Sequence, residues 1–252
     1  VGEPLGRAPE AAEQIERAVQ FIRKETGAKT VSIIAHSWGT VAAGRFAGDH
    51  PDMVDRLVLF GPIGQRDGPA STEVLTPWSY VTVAEQHARF VGSVPKASSP
   101  VLVEADFPRW AQTYLASDPT SATRDPPSVK TPNGPSADVD AAWSGHLPYD
   151  PGRIRAPTLI IRGEWDRTSP DADVRWLKQA LTASSSVTDV KIPRATHLMH
   201  LEQGRKALYA ATNAFLTKDG AAVAGADPGA DRRSLFAVVF EVRPDPARQS
   251  DY

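Results

Sequence analysis

Three side chains far apart in the sequence, Ser37, Asp166 and His197, have the types needed to move a proton together. A serine hydroxyl is a weak nucleophile at neutral pH. It needs an adjacent base to take its proton, and the base needs an acid to fix its tautomer and stabilise its cation. Ser37 sits in Ala35-His36-Ser37-Trp38-Gly39, behind the apolar run Val31-Ser32-Ile33-Ile34 and ahead of the small-residue stretch Gly39-Thr40-Val41-Ala42-Ala43-Gly44. A strand, a tight turn carrying serine and then a helix is the context that exposes a nucleophile at the end of a sheet. Such a turn crowds the positions two before and two after the serine. Here they hold Ala35 and Gly39, both small.

The acid and the base should follow at the carboxyl ends of neighbouring strands, where functional groups gather in parallel α/β sheets. The run Thr158-Leu159-Ile160-Ile161-Arg162 leads into Gly163-Glu164-Trp165-Asp166, and Val187 to Ile192 leads into Pro193-Arg194-Ala195-Thr196-His197. The rivals are weaker. His200 lies three residues past the strand-end histidine. His36 projects differently from the turn, and Glu164 is the alternative acid. His87 and His146 fall in a region where surface histidines are common. No cluster of His, Asp or Glu has metal-ligand spacing and no glycine-rich loop follows a strand, so neither a metal nor a nucleotide cofactor is expected.

The elements that must carry these groups alternate. Pro9 to Thr26 has the apolar spacing of an amphipathic helix, with Ile15, Ala18, Val19 and Ile22 on one face. Thr30–Ala35 and Arg56–Phe60 read as buried strands, with a helix between them ending near Gly48. Ala156–Gly163 and Val187–Ile192 are two more strands, followed by helices at Pro170–Leu181 and Gly204–Leu216. Alternation at this spacing indicates a mostly parallel sheet flanked by helices. Residues 1–60 and 151–217 form this core. Between Gly61 and Asp150 the pattern breaks, because 12 of the 22 prolines lie there. Long regular elements are excluded, yet the segment is too long for a plain loop. It reads as an inserted cap over residues 61–150, with short helices near Val81–Phe90, Phe107–Ala116 and Ala137–Ser144. Residues 218–234 have linker composition, and Leu235–Val242 is a strand stopped by Pro244 and Pro246.

At His36-Ser37-Trp38-Gly39, at Gly163-Glu164-Trp165-Asp166-Arg167-Thr168-Ser169-Pro170 and at Thr196-His197-Leu198-Met199-His200-Leu201-Glu202, the chain resembles a serine hydrolase of the α/β-hydrolase fold. The likeness runs from about Ala8 to Thr217. The order Ser, Asp, His along the chain is the order of that fold. The resemblance implies Ser37 as nucleophile, Asp166 as acid, His197 as general base and the Trp38 backbone N–H as one oxyanion donor. Ala35 and Thr196 stand where the family usually has glycine. A second oxyanion donor is expected from a loop after an early strand, and nothing before Ser37 reads as that loop. The N-terminal strands and the second donor are therefore expected to be missing from this chain, which would leave it inactive as it stands. Residues 235–252 weakly resemble the opening strand of a ferredoxin-like domain of the antibiotic biosynthesis monooxygenase type, and such domains often dimerise. Pairing of this strand with the exposed sheet edge is the simpler alternative.

The expected substrate is a small or medium carboxylic ester. Amide or carbon–carbon bond cleavage uses the same triad, and a non-catalytic binding module on the same fold is the rival from another class. His36, Trp78, Trp110, Trp143 and Trp165 are candidate substrate contacts. The chain has 252 residues, a formal net charge of −2 and no cysteine. Near-neutral charge gives no reason to expect nucleic acid or an anionic membrane as partner. Absence of cysteine excludes disulfides and thiolate catalysis and fits a reducing, cytoplasmic setting, although a start at Val1 leaves a cleaved leader open.

Overall fold

The computed structural model describes residues 2–217 and the strand Phe236–Val239. Its centre is a sheet built from β1 (Val31–His36), β2 (Val54–Phe60), β5 (Thr158–Gly163), β6 (Val187–Ile192) and β7 (Phe236–Val239), in the order β6-β5-β2-β1-β7. Every pairing in it is parallel. All of β5 is buried, as expected for a parallel strand covered on both faces.

Alternate residues of β2 serve opposite faces. Leu57 and Leu59 pack with α1 (Ala8–Thr26), α2 (Gly39–Asp49) and α6 (Asp171–Ala180) through Ile15, Val19, Phe46, Val174 and Leu177. Val58 and Phe60 pack under α7 (Arg205–Thr217) with Leu159, Ile161, Leu208 and Phe215. This two-fold period is what holds the strands in register, because a slip of one residue would turn each apolar side chain to the wrong face. The helix α1 ends where the sequence places its stop, with Gly27 at φ 72° and its N–H bonded to the Arg23 carbonyl. Arg162, buried in β5, pairs with Asp189 of β6 and with Asp171 at the start of α6, tying β5 and β6 to that helix.

The segment between β2 and β5 carries α3 (Val83–Val91), α4 (Phe107–Ala116) and α5 (Gly134–Trp143), close to the three helices expected there. It also holds a two-stranded antiparallel sheet, β3 (Trp78–Thr82) against β4 (Ser128–Pro132), where irregular chain was expected. The pairing joins segments far apart in sequence, so no local hairpin signal announces it. Among the described residues no helix is long and apolar enough to cross a membrane. The strand expected at Leu235–Val242 is present at Phe236–Val239, where it pairs parallel with the free edge of β1. The linker expected at 218–234 and the remainder of 235–252 lie outside the described residues.

Candidate active site

Ser37 is the first residue after β1 and has φ 55°, a left-handed conformation unusual for a side chain other than glycine. The turn is held from several directions. The Ser37 N–H donates to the Phe60 carbonyl at 2.9 Å. The Thr40 hydroxyl, fully buried, donates to the Ser37 carbonyl at 2.6 Å and accepts from the Ile63 N–H at 3.2 Å. These bonds oppose a conformational cost of roughly 1–2 kcal/mol. They project the hydroxyl from the carboxyl edge of the sheet.

Each neighbouring strand end adds one part. Asp166, in the turn after β5, accepts at Oδ1 from the Thr168 and Ser169 N–H groups, both at 2.9 Å. His197, after β6, approaches Asp166 Oδ2 with Nδ1 at 2.9 Å and Ser37 Oγ with Nε2 at 2.7 Å. A carboxylate only accepts hydrogen bonds, so Nδ1 carries the imidazole proton. The lone pair on Nε2 then faces the serine hydroxyl, which is the tautomer a general base requires. The side chain of Asp166 has no solvent exposure and that of His197 has 10%, so water does not compete for the relay.

The strand between them, β2, contributes space. Gly61 follows β2 directly and has φ 55°. A Cβ there would stand 2.9 Å from His197 Cε1 and Nδ1 and 3.2 Å from Asp166 Oδ2. Only glycine leaves the imidazole its place. Sequence reasoning passes over Gly61, although a glycine immediately after a buried strand at the catalytic edge is a readable signal. Gly163 plays the same part at the end of β5, where a Cβ would lie 2.2 Å from the Ala195 carbonyl oxygen.

Three histidines cluster around the relay. His36 Nε2 lies 2.9 Å from the His197 carbonyl, an acceptor, so it is His36 that donates. Its ring stacks on Phe60 and touches both His197 and His200. Burial, then the neighbouring His197 and His200, push the His36 pKa well below the ordinary histidine value. His200 meets His36 and Phe60 edge-on, and burial together with His197 and Arg89 lowers it to about 4. Both rings are therefore neutral at physiological pH. Glu164, the alternative acid, accepts from the Arg194 N–H at 2.9 Å on the exposed side. His87 pairs with Glu104 at 3.1 Å, and His146 bonds the Ser144 carbonyl.

Glu202 is 1% exposed and accepts from both the N–H and the hydroxyl of Thr196, the residue before His197. Burial raises its pKa, the Thr196 bonds oppose that, and nearby Asp166 adds to it. The hydroxyl that Thr196 brings in place of a glycine is thus used to hold the loop that carries His197. The same loop joins the segment between β2 and β5 through a bridge between Leu102 and Glu202 and through Val103 N–H to the Leu201 carbonyl at 3.0 Å.

The candidate substrate contacts are distributed unequally. Trp110 belongs to an aromatic group with Phe90 and Phe107 that packs on Leu198 and Leu201, in the loop after His197. Trp143 packs with Trp38 next to the serine turn, with the Arg66 guanidinium 4.0 Å above its ring. Trp165 is half-buried, and its backbone N–H donates to the Ala195 carbonyl at 2.9 Å. Trp78 lies in the small antiparallel sheet under Lys130, whose Nζ is 3.6 Å from its ring centre. His36 is engaged within the protein, as described above. Among the described residues no group of three or more His, Asp or Glu could hold a metal ion.

This fold and site define a class. The family model described as "Alpha/beta hydrolase family" matches residues 2–211, and the chain belongs to that family. Solved structures share the fold at low identity. A thioesterase domain from the curacin biosynthetic pathway is 15% identical, covering 81% of this chain and 73% of its own, with a TM-score of 0.54. A serine hydrolase involved in carbazole degradation is 19% identical over 86% of this chain and 74% of its own, also at 0.54. The 2-hydroxy-6-oxo-6-phenylhexa-2,4-dienoate hydrolase from Rhodococcus sp. strain RHA1 is 15% identical over 88% and 74%, at 0.52.

Proposed function

We propose that this protein is a serine hydrolase that cleaves a carboxylic ester through an acyl-enzyme. The observation that carries the reading is the continuous relay from Ser37 Oγ to His197 Nε2 at 2.7 Å and from His197 Nδ1 to Asp166 Oδ2 at 2.9 Å. Ser37 Oγ attacks the ester carbonyl carbon as its proton passes to His197 Nε2. The carbonyl π electrons move onto oxygen, and Asp166 stabilises the imidazolium. When the tetrahedral intermediate collapses, His197 returns the proton to the leaving alkoxide and an acyl-serine remains. Water, activated by the same imidazole, then releases the acid. Trp38 begins the turn into α2, where the first N–H groups have no partner within the helix. Its N–H is the oxyanion donor this reading assigns.

Labelling with a fluorophosphonate probe and turnover of a series of p-nitrophenyl esters test the reading. Label on Ser37, with label and turnover both lost in Ser37→Ala, supports it. A folded protein that takes no label and cleaves no ester would leave a binding module on this fold.

A further inference from the structure

The serine turn is tied to the cap by one fully buried carboxylate. Asp138 lies in α5 with no solvent exposure. Its Oδ2 accepts from the indole N–H of Trp38 at 3.0 Å and from the backbone N–H of Ala8 at 2.7 Å. Its Oδ1 accepts from Arg7 Nε at 2.6 Å. Three segments remote in sequence meet on this group: the start of α1, the residue after the nucleophile, and a cap helix. Arg7, at the N-cap of α1, provides no side-chain cap. The carboxylate from the cap takes that role, at the helix end where negative charge is favoured.

This half of the cap is tied further to the start of the chain and, within the cap, to the segment that leaves β2. The Gly134 N–H donates to the Leu5 carbonyl at 2.7 Å, Arg66 N–H to the Ala142 carbonyl at 3.0 Å and Gly68 N–H to the Trp143 carbonyl at 2.9 Å. A Cβ at Gly134 would fall 2.3 Å from the Leu5 oxygen, so the backbones touch. The α5 helix is therefore a fixed part of the frame around the serine turn.

We infer that Asp138 is a positioning residue for the reaction: by holding the Trp38 indole from the cap, it fixes the backbone at residue 38 whose N–H stabilises the oxyanion. The inference rests on the hydrolase reading above. A donor in place before charge develops needs no reorganisation in the transition state. A loosened donor costs transition-state binding and leaves ground-state binding intact.

The test uses Trp38→Phe, which removes one N–H and keeps an aromatic ring, beside Asp138→Ala and Asp138→Asn. Trp38→Phe and Asp138→Ala are each expected to lose about tenfold in kcat with KM unchanged, the size of one bond to a charged group. Their affinity for a trifluoromethyl ketone, whose adduct carries the oxyanion, should fall in parallel. Combining the two substitutions should cost no more than either alone. Asp138→Asn keeps an acceptor for the indole and should restore most of kcat. Wild-type kcat in Trp38→Phe, or a loss confined to KM or to melting temperature, would overturn the inference. If wild type takes no fluorophosphonate label and turns over no ester, the hydrolase reading fails instead. The bond itself is then read separately, from the Trp38 indole proton resonance, which should move in Asp138→Ala; an unmoved resonance shows that the bond is not formed.

Discussion

Gly61→Ala isolates what space alone contributes to this site. Two costs arise. The backbone at φ 55° is left-handed, which costs an L side chain roughly 1–2 kcal/mol. The new methyl would also stand 2.9 Å from two atoms of the His197 ring, closer than real carbon contacts allow. The imidazole must then retreat from its 2.7 Å contact with Ser37 Oγ. Displacement on the order of 1 Å at a reacting group can cost about 10²-fold in rate. Gly27→Ala is the control. It has φ 72° with nothing within 4 Å of the added Cβ, at the end of α1. Both variants should lower the melting temperature by about 2–8 °C. Only Gly61→Ala should lower kcat/KM on a p-nitrophenyl ester, by about 10²-fold. Equal kcat/KM in the two variants would refute the steric argument and the placement of His197 with it.

Ser37→Ala should reduce kcat by roughly 10⁶-fold, and Asp166→Asn by roughly 10⁴-fold because the imidazole loses its enforced tautomer; steady-state turnover with a folded-state check by circular dichroism reads both. His200 titrates at about 4 in the folded chain and near 6.5 when unfolded. The unfolded state binds more protons between these values, so stability is complete above about pH 6.5 and falls as pH drops toward 4. His36 acts in the same direction. At pH 5 the loss through His200 is on the order of 2 kcal/mol, and the fall in melting temperature between pH 7 and 5 should flatten in His200→Gln. Glu202→Ala strands the buried N–H of Thr196, which should cost about 1–3 kcal/mol in a urea titration. Glu202→Gln, which keeps an acceptor, should cost less.

Periodicity and strand-end position made much of this arrangement readable. The apolar runs at Val31, Leu57 and Leu159 and the segment Val187–Ile192 are sheet strands, and the carboxyl ends of three of the four carry Ser37, Asp166 and His197 onto one rim. Local signals sufficed because each group closely follows its strand. Other features depend on partners far along the chain. Asp138 looks like any polar residue of a short helix until Trp38 and Ala8 arrive beside it. Trp78–Thr82 has the aromatic and β-branched content of a strand, but its mate at Ser128–Pro132 is distant. Gly61, directly after a buried strand, signals a close approach in the sequence, but the group that approaches, the imidazole at 197, is known only from the fold. Thr196 reads only as a departure from glycine, and its hydroxyl gains meaning from Glu202.

The parallel ladder sets the spacing of the reacting groups. His36 is level with Phe60, Phe60 with Ile161, and Gly163 with Ile192. Each of the strands β1, β2, β5 and β6 delivers its contribution within a few residues of its last rung. A strand advances about 3.3 Å per residue, more than the tolerance of any hydrogen bond in the relay. On the hydrolase reading, one misaligned rung would therefore break proton transfer while leaving Ser37, Asp166 and His197 all present. The oily packing on both faces of the sheet then works as the gauge that keeps the relay in tolerance.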